Sequence, residues 1–239
     1  MKMYNIIRKV KSVFERGAKR RGDPEAWYRR NTGEACGITI NYKTLRLIKG
    51  CVKAFRKYYP STHLIIIDNS NFDRSSDWIF AFAKKDKNTT VLANAYNAHH
   101  GPSMHMGLAV SANLFKYALV FDSDVHFIKS GLIEDILKQI DGRPFLCSGA
   151  LTQVNENGFD VAEGQGIPYI HPCCMLVDVI QYLKFRPFKK HGAPALDTMK
   201  DVQDKGTGGL LIPFTVRDYY KHHYGGTSKA TGGMHLTHD

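Results

Sequence analysis

An α/β fold, with a mostly parallel sheet flanked by helices, is predicted by two features of the sequence. The runs Cys36–Ile40, Leu64–Ile67 and Tyr117–Phe121 are short and nearly continuously apolar, as strands covered on both faces must be. Between them lie stretches whose apolar side chains recur every three or four residues, so strands and helices alternate in the manner of βαβ units.

Cys36–Ile40 reads as the first strand. Leu45, Ile48, Val52, Phe55 and Tyr59 then mark one face of a helix that Pro60 and Ser61 end. Leu64–Ile67 is a second strand, closed by Asp68-Asn69-Ser70. Ser75 is the expected cap of a helix reaching about Lys84, and Val91–Ala93 is a short third strand. Gly101-Pro102-Ser103 opens a helix through about Leu114, Tyr117–Phe121 forms the next strand, and Gly131–Ile140 a further helix. Beyond Ile140 the pattern loosens. Pro144–Ser148, Cys174–Val177 and Leu210–Phe214 read as strands, Ala195–Lys205 as a short helix, and Asn155–Gly166 as a glycine-rich acidic loop. The tail from Arg217 carries His222, His223, His235 and His238 among several glycines.

At 239 residues the chain has the length of one large α/β domain or two small ones. No internal repeat or long linker divides it. The expected organisation is a basic, helical extension over residues 1–34 and a single domain over residues 35–239, with a regular half over 35–140 and a looser half with a histidine-rich tail over 141–239. No stretch is long and apolar enough to span a bilayer, and Met1–Lys11 lacks the form of a signal peptide, so a cytoplasmic location is expected. The five cysteines are odd in number and irregularly spaced, which suits reduced, buried thiols better than a disulfide framework or a zinc site.

The formal net charge is +11, with a dense basic cluster between Lys2 and Arg30. Met3, Ile7, Val10 and Phe14 fall at helical spacing within it. Such a segment can dock on the main domain by its apolar stripe, lie on an anionic membrane face, or follow nucleic acid.

The strand Tyr117–Phe121 delivers Asp122 and Asp124 to its own C-terminal edge, where ligands bind in open α/β sheets. Two carboxylates so close repel unless a cation lies between them, and Mg²⁺ or Mn²⁺ is held by such carboxylates together with substrate phosphates. A solvated Asx turn is the plainer alternative.

The order of a strand, a helix, a strand ending in Asp68-Asn69-Ser70, a Gly-rich helix start at Gly101–Gly107 and a strand ending in Asp122-Ser123-Asp124 resembles the GT-A fold glycosyltransferases, family-2-like members of the nucleotide-diphospho-sugar transferase superfamily. The likeness covers roughly Gly37–Ile140 well and the remainder loosely, and it implies that residues 35–140 are the nucleotide-sugar-binding half and residues 141–239 the acceptor half. It implies an enzyme that moves a sugar from a nucleoside-diphosphate sugar to an acceptor hydroxyl, with inversion, using Mn²⁺ or Mg²⁺. By that resemblance Asp68 holds the nucleobase and Asn41 lines the nucleoside pocket. Gly101 and His105 lie over the donor, with His105 standing where the family often has Asn. Asp122 and Asp124 bind the metal, with Asp122 also at the diphosphate, and a tail histidine (His222, His223 or His235, of which His223 is taken as the ligand) completes the shell. An acidic residue of the second half is the general base: Asp197, with Glu163 its competitor. The plainer role for Asp197 is a helix-start acid. His171, before Pro172, is expected in the acceptor cleft or bonded in the core.

A nucleotide-sugar nucleotidyltransferase would place a Gly-rich basic loop after the first strand, where this chain has Asn41-Tyr42-Lys43. A binding protein that kept the fold without the chemistry is the third class. For the acceptor, the basic charge suits a polyanion: a hydroxylated base in phage-type DNA, reached by base flipping in an infected host cytoplasm, or a surface glycan or lipid-linked sugar approached with the basic N-terminus on an anionic membrane face.

Overall fold

The computed structural model describes residues 33–189 and 192–223. The basic N-terminal helix expected before Gly33, and His235, lie outside the described residues.

Seven strands form one sheet in the order β3-β2-β1-β4-β7-β6-β8. They are β1 (Gly33–Asn41), β2 (His63–Asp68), β3 (Thr89–Ala93), β4 (Phe115–Asp122), β6 (Cys147–Val154), β7 (Ile167–Asp178) and β8 (Leu211–Pro213). The four strands of the first half are parallel, β7 runs antiparallel to both β4 and β6, and β8 is parallel to β6. A separate ribbon pairs β5 (Val125–Phe127) with β9 (Tyr220–His222) in antiparallel fashion. The helices are α1 (Leu45–Tyr58), α2 (Arg74–Lys85), α3 (His100–Ser111), α4 (Leu132–Ile140), the single turn α5 (Val179–Tyr182) and α6 (Leu196–Asp204).

The two faces of the sheet bury two cores, and the alternation of side chains along each strand separates them. In β2, Ile65 and Ile67 join Ile38, Val120, Met104 of α3 and Met199 of α6, while Leu64 and Ile66 join Phe55 of α1, Ile79 of α2, Phe121 and Ile136 of α4. Gly107 lets α3 lie close on the first face: a Cβ there would sit 2.8 Å from Ile38 and 2.9 Å from Ile67.

The first half follows the expected order, and the differences have local causes. Asp73 rather than Ser75 caps α2, because its carboxylate accepts both the Ser75 and the Ser76 N–H. Helix α3 ends at Ser111, whose hydroxyl turns back onto the Leu108 carbonyl. In the second half the strand foreseen at Pro144–Ser148 starts only at Cys147 and runs on to Val154, and its partner begins at Ile167, seven residues before Cys174. The two extended strands lift the segment between them away from the sheet as an arm.

Candidate active site

Strands β1, β2 and β4 end side by side, with Asn41 opposite Asp68 and Ile40 opposite Asp122. Parallel pairing thus brings three polar side chains, separated in sequence, to one edge.

At the β1–β2 end the Asn41 amide is a hub. Its two N–H hydrogens serve Asp68 Oδ1 at 2.9 Å, Ser70 Oγ at 2.8 Å and Ser75 Oγ at 2.8 Å, while its carbonyl accepts the Thr44 hydroxyl at 2.9 Å. Asp68 also accepts the Ser70 N–H at 3.2 Å and is 1% exposed. Asn41 and Asp68 are therefore locked together at the base of this edge.

At the β4 end, Asp122, Asp124 and His222 offer ligand atoms that all lie within 4.8 Å of one another. His222 Nε2 is 3.0 Å from Asp124 Oδ1 and 4.0 Å from Asp122 Oδ2. The imidazole comes from β9, held in place by its pairing with β5 immediately after the acidic pair. His223 takes a different part: its backbone N–H donates to the Asp124 carbonyl at 3.1 Å, and its ring meets His126, Nε2 to Nδ1, at 3.3 Å. Adjacent residues of an extended strand face opposite ways, so only one of the two histidines turns to the carboxylates.

His100, the first residue of α3, puts Nε2 at 3.1 Å from Asp122 Oδ1. Burial works against charge on His100, yet the neighbouring Asp122 carboxylate outweighs it and raises its pKa. In the same way burial would raise the Asp122 pKa, but His100, His222 and His171 hold it below the usual carboxylate range. Burial likewise opposes the charge on His222, and its hydrogen bond to Asp124 together with the fields of both aspartates raises its pKa. The carboxylates thus keep their charge here and draw positive charge toward them.

Of the other expected residues, Gly101 is buried in the first turn of α3. His105 ties α3 to α5 through a 2.9 Å contact of Nδ1 with the Tyr182 hydroxyl, which also accepts the Phe188 N–H at 3.0 Å. Asp197 lies in the first turn of α6 with Lys189 Nζ 3.9 Å away. Glu163 is exposed on the β6–β7 arm.

A cleft runs from Asp122 toward this arm. His100, Asp122, Asp160, Tyr169 and His171 contribute to its lining, and neither Asp197 nor Glu163 does. His171 Nδ1 accepts the Cys173 N–H at 3.2 Å, which leaves its other nitrogen to carry the ring hydrogen. Burial lowers the His171 pKa, so the ring is neutral near pH 7. Sequence reasoning missed His100 and Asp160. For His100 the signal was its position immediately before the Gly101-Pro102 helix start; Asp160 carried none, being one acid in a polar loop.

The donor set of two carboxylates and one imidazole fits a hard divalent ion such as Mn²⁺ or Mg²⁺ that keeps positions open for phosphate oxygens.

A family model described as glycosyl transferase family 2 matches residues 37–192. Among solved structures, TarS 1–349 of S. aureus superposes with a TM-score of 0.55 at 14% identity, covering 83% of this chain and 63% of that one. Glucosyl-3-phosphoglycerate synthase of Mycobacterium tuberculosis, in complex with Mn²⁺, UDP-glucose and phosphoglyceric acid, gives 0.56 at 11% identity, over 83% of this chain and 74% of that one. The mannosyltransferase PcManGT of Pyrobaculum calidifontis, in complex with GDP-Man and Mn²⁺, gives 0.55 at 10% identity, over 90% and 69%. This chain therefore spans about three-fifths of TarS 1–349. No curated protein matches it by sequence. Among the described residues no helix is long and apolar enough to cross a membrane.

Proposed function

Since the chain belongs to glycosyl transferase family 2, we propose that it moves a sugar from a nucleoside-diphosphate sugar to an acceptor hydroxyl with inversion at the anomeric carbon. The observation that carries this reading is the cluster of Asp122, Asp124 and His222 at the end of β4, one strand away from the Asn41–Asp68 pair. A nucleoside held at the β1–β2 end would extend its diphosphate toward the β4 end.

In this mechanism Asp122, Asp124 and His222 would hold a divalent ion, which would supply Lewis-acid stabilisation of the departing diphosphate. Asp68, fixed by Asn41 and the Ser70 N–H, presents an acceptor to the nucleobase. His100 orients Asp122 through the bond to Oδ1. His171, with its hydrogen on Nε2, donates to an oxygen of donor or acceptor in the cleft.

The proposed acceptor is a hydroxyl of a surface glycan or lipid-linked sugar. A hydroxylated base in DNA is the second reading, favoured by the net charge of +11 and by α1, which carries Arg46, Lys49, Lys53 and Lys57 and no acid. Affinity for duplex DNA that falls steeply across a salt series supports the second reading, and weak, salt-insensitive binding removes it.

Thermal unfolding with UDP or GDP, with and without Mn²⁺, tests the donor site. The proposal expects a metal-dependent rise in Tm with one of the two nucleotides, lost in Asp124→Ala. No metal-dependent rise with either nucleotide refutes it.

A further inference from the structure

We infer that Asp160, and not the acid at the start of α6, takes the proton from the acceptor hydroxyl; the inference rests on the glycosyl-transfer reading above. Asp160 belongs to the arm between β6 and β7, which the sequence presents as a glycine-rich acidic loop.

The arm is built to hold this carboxylate. Its tip closes through the Asn155 side chain, which accepts the N–H of Asn157 at 2.9 Å and of Phe159 at 3.1 Å, and through the Asn155 N–H bonded to the Phe159 carbonyl at 2.8 Å. Asp160 then pairs with Val154 in an antiparallel bridge, and the Val161 N–H donates to the Gln153 carbonyl at 2.9 Å. The Thr152 hydroxyl donates to Asp160 Oδ1 at 3.2 Å, which leaves Oδ2 for a substrate proton. The arm is also seated against the far wall of the cleft. Gly158 has φ +86°, and a Cβ there would lie 2.3 Å from the Ala193 Cβ, a fit only glycine allows. Glu156 pairs with Lys200 of α6.

The cleft offers few other bases. Asp122 is committed to the cation cluster and bonded to His100. His171 uses Nδ1 to accept the Cys173 N–H, so its free nitrogen carries a hydrogen and donates. Asp197 faces Lys189 and Glu163 lies outside the lining. Among the described residues Asp160 is the remaining carboxylate on the lining, and it lies within electrostatic reach of His171.

The step balances as follows. The acceptor oxygen attacks the anomeric carbon as its proton passes to Asp160 Oδ2. The carbon–oxygen bond to the diphosphate breaks, and its electron pair departs on the diphosphate.

The test uses the full chain with Mn²⁺ and three donors, UDP-glucose, UDP-N-acetylglucosamine and GDP-mannose, reading nucleoside-diphosphate release to water and to sodium azide. Azide attacks as an anion and has no proton to lose. The inference expects Asp160→Asn to keep the nucleotide-dependent Tm rise, to lose about 10²–10⁴-fold in release to water, and to match the wild type with azide. Equal water rates in Asp160→Asn and wild type overturn it. So does a loss that azide leaves unrepaired, or one carried by Asp197→Asn instead. A wild-type chain that releases nucleotide from none of the donors, with water or azide, refutes glycosyl transfer itself.

Discussion

Replacing Asn41 tests whether the donor edge is held by one amide. The side chain is buried and joins β1, β2 and the start of α2 through four hydrogen bonds. A bond to a carboxylate contributes about 1.5–3 kcal/mol and a neutral one about 1 kcal/mol, so truncation to Ala removes at most about 6 kcal/mol. Part of that is recovered, because the released groups already have partners: Ser75 Oγ reaches Ser70 Oγ at 3.1 Å and Asp73 Oδ1 at 2.5 Å. The expected loss for Asn41→Ala is about 3 kcal/mol, read by urea unfolding at pH 7.5 against the wild type. Asn41→Asp sharpens the test. It preserves the shape but sets a second carboxylate about 3 Å from Asp68 and removes the donor, so it must be less stable than Asn41→Ala despite its smaller change in volume. An aspartate variant as stable as the alanine variant, or an alanine variant within 1 kcal/mol of wild type (about the worth of one neutral bond), would refute the hub.

Two further outcomes follow from groups at the opposite edge of the sheet. His63 is buried against Phe115, and burial, aided by the nearby Arg56 charge, pushes its pKa down from 6.5 to about 4. The unfolded chain therefore binds the extra proton between these values; the contribution is complete above pH 6.5 and drains away as pH falls to about 4, a loss of about 3 kcal/mol that His63→Gln should remove from the unfolding profile. Arg56 donates to Asp86 at 2.5 Å, to the carbonyls of Tyr59, Thr62 and Asn88, and to the Thr89 hydroxyl. Arg56→Ala should cost about 2–4 kcal/mol by thermal and urea unfolding, with Arg56→Lys recovering less than half because a single ammonium lacks the planar fork, while the nucleotide-dependent Tm rise persists in both.

The parallel half was legible because its signals are local. Continuous apolar runs such as Leu64–Ile67 require two covered faces, and the polar residues that stop them, Asp68 and Asp122, are residues the register brings to one edge of the sheet on either side of β1. The second half was less legible because its pairing is long-range. Strand β9 is three residues long in a polar tail, and nothing within Tyr220–His222 says that β5, nearly a hundred residues earlier, will pair with it. The choice between His222 and His223 depends on that register, so a histidine could be foreseen in the cluster while its number could not. The arm shows the same limit: turn residues at Asn155–Gly158 and an acid at Asp160 are visible, but their docking on Ala193 exists only in three dimensions.

The short β5–β9 ribbon has a thermodynamic consequence. Two strands of three residues each are marginal in isolation. Because β9 carries His222 and β5 follows Asp122 and Asp124, peeling the ribbon open dismantles the cluster, and on the proposed metal reading a bound ion would protect the ribbon to the same degree. On that reading metal concentration would set how often β9 lifts from the domain, and amide hydrogen exchange along Tyr220–His222 would be a gauge of cation occupancy that needs no substrate.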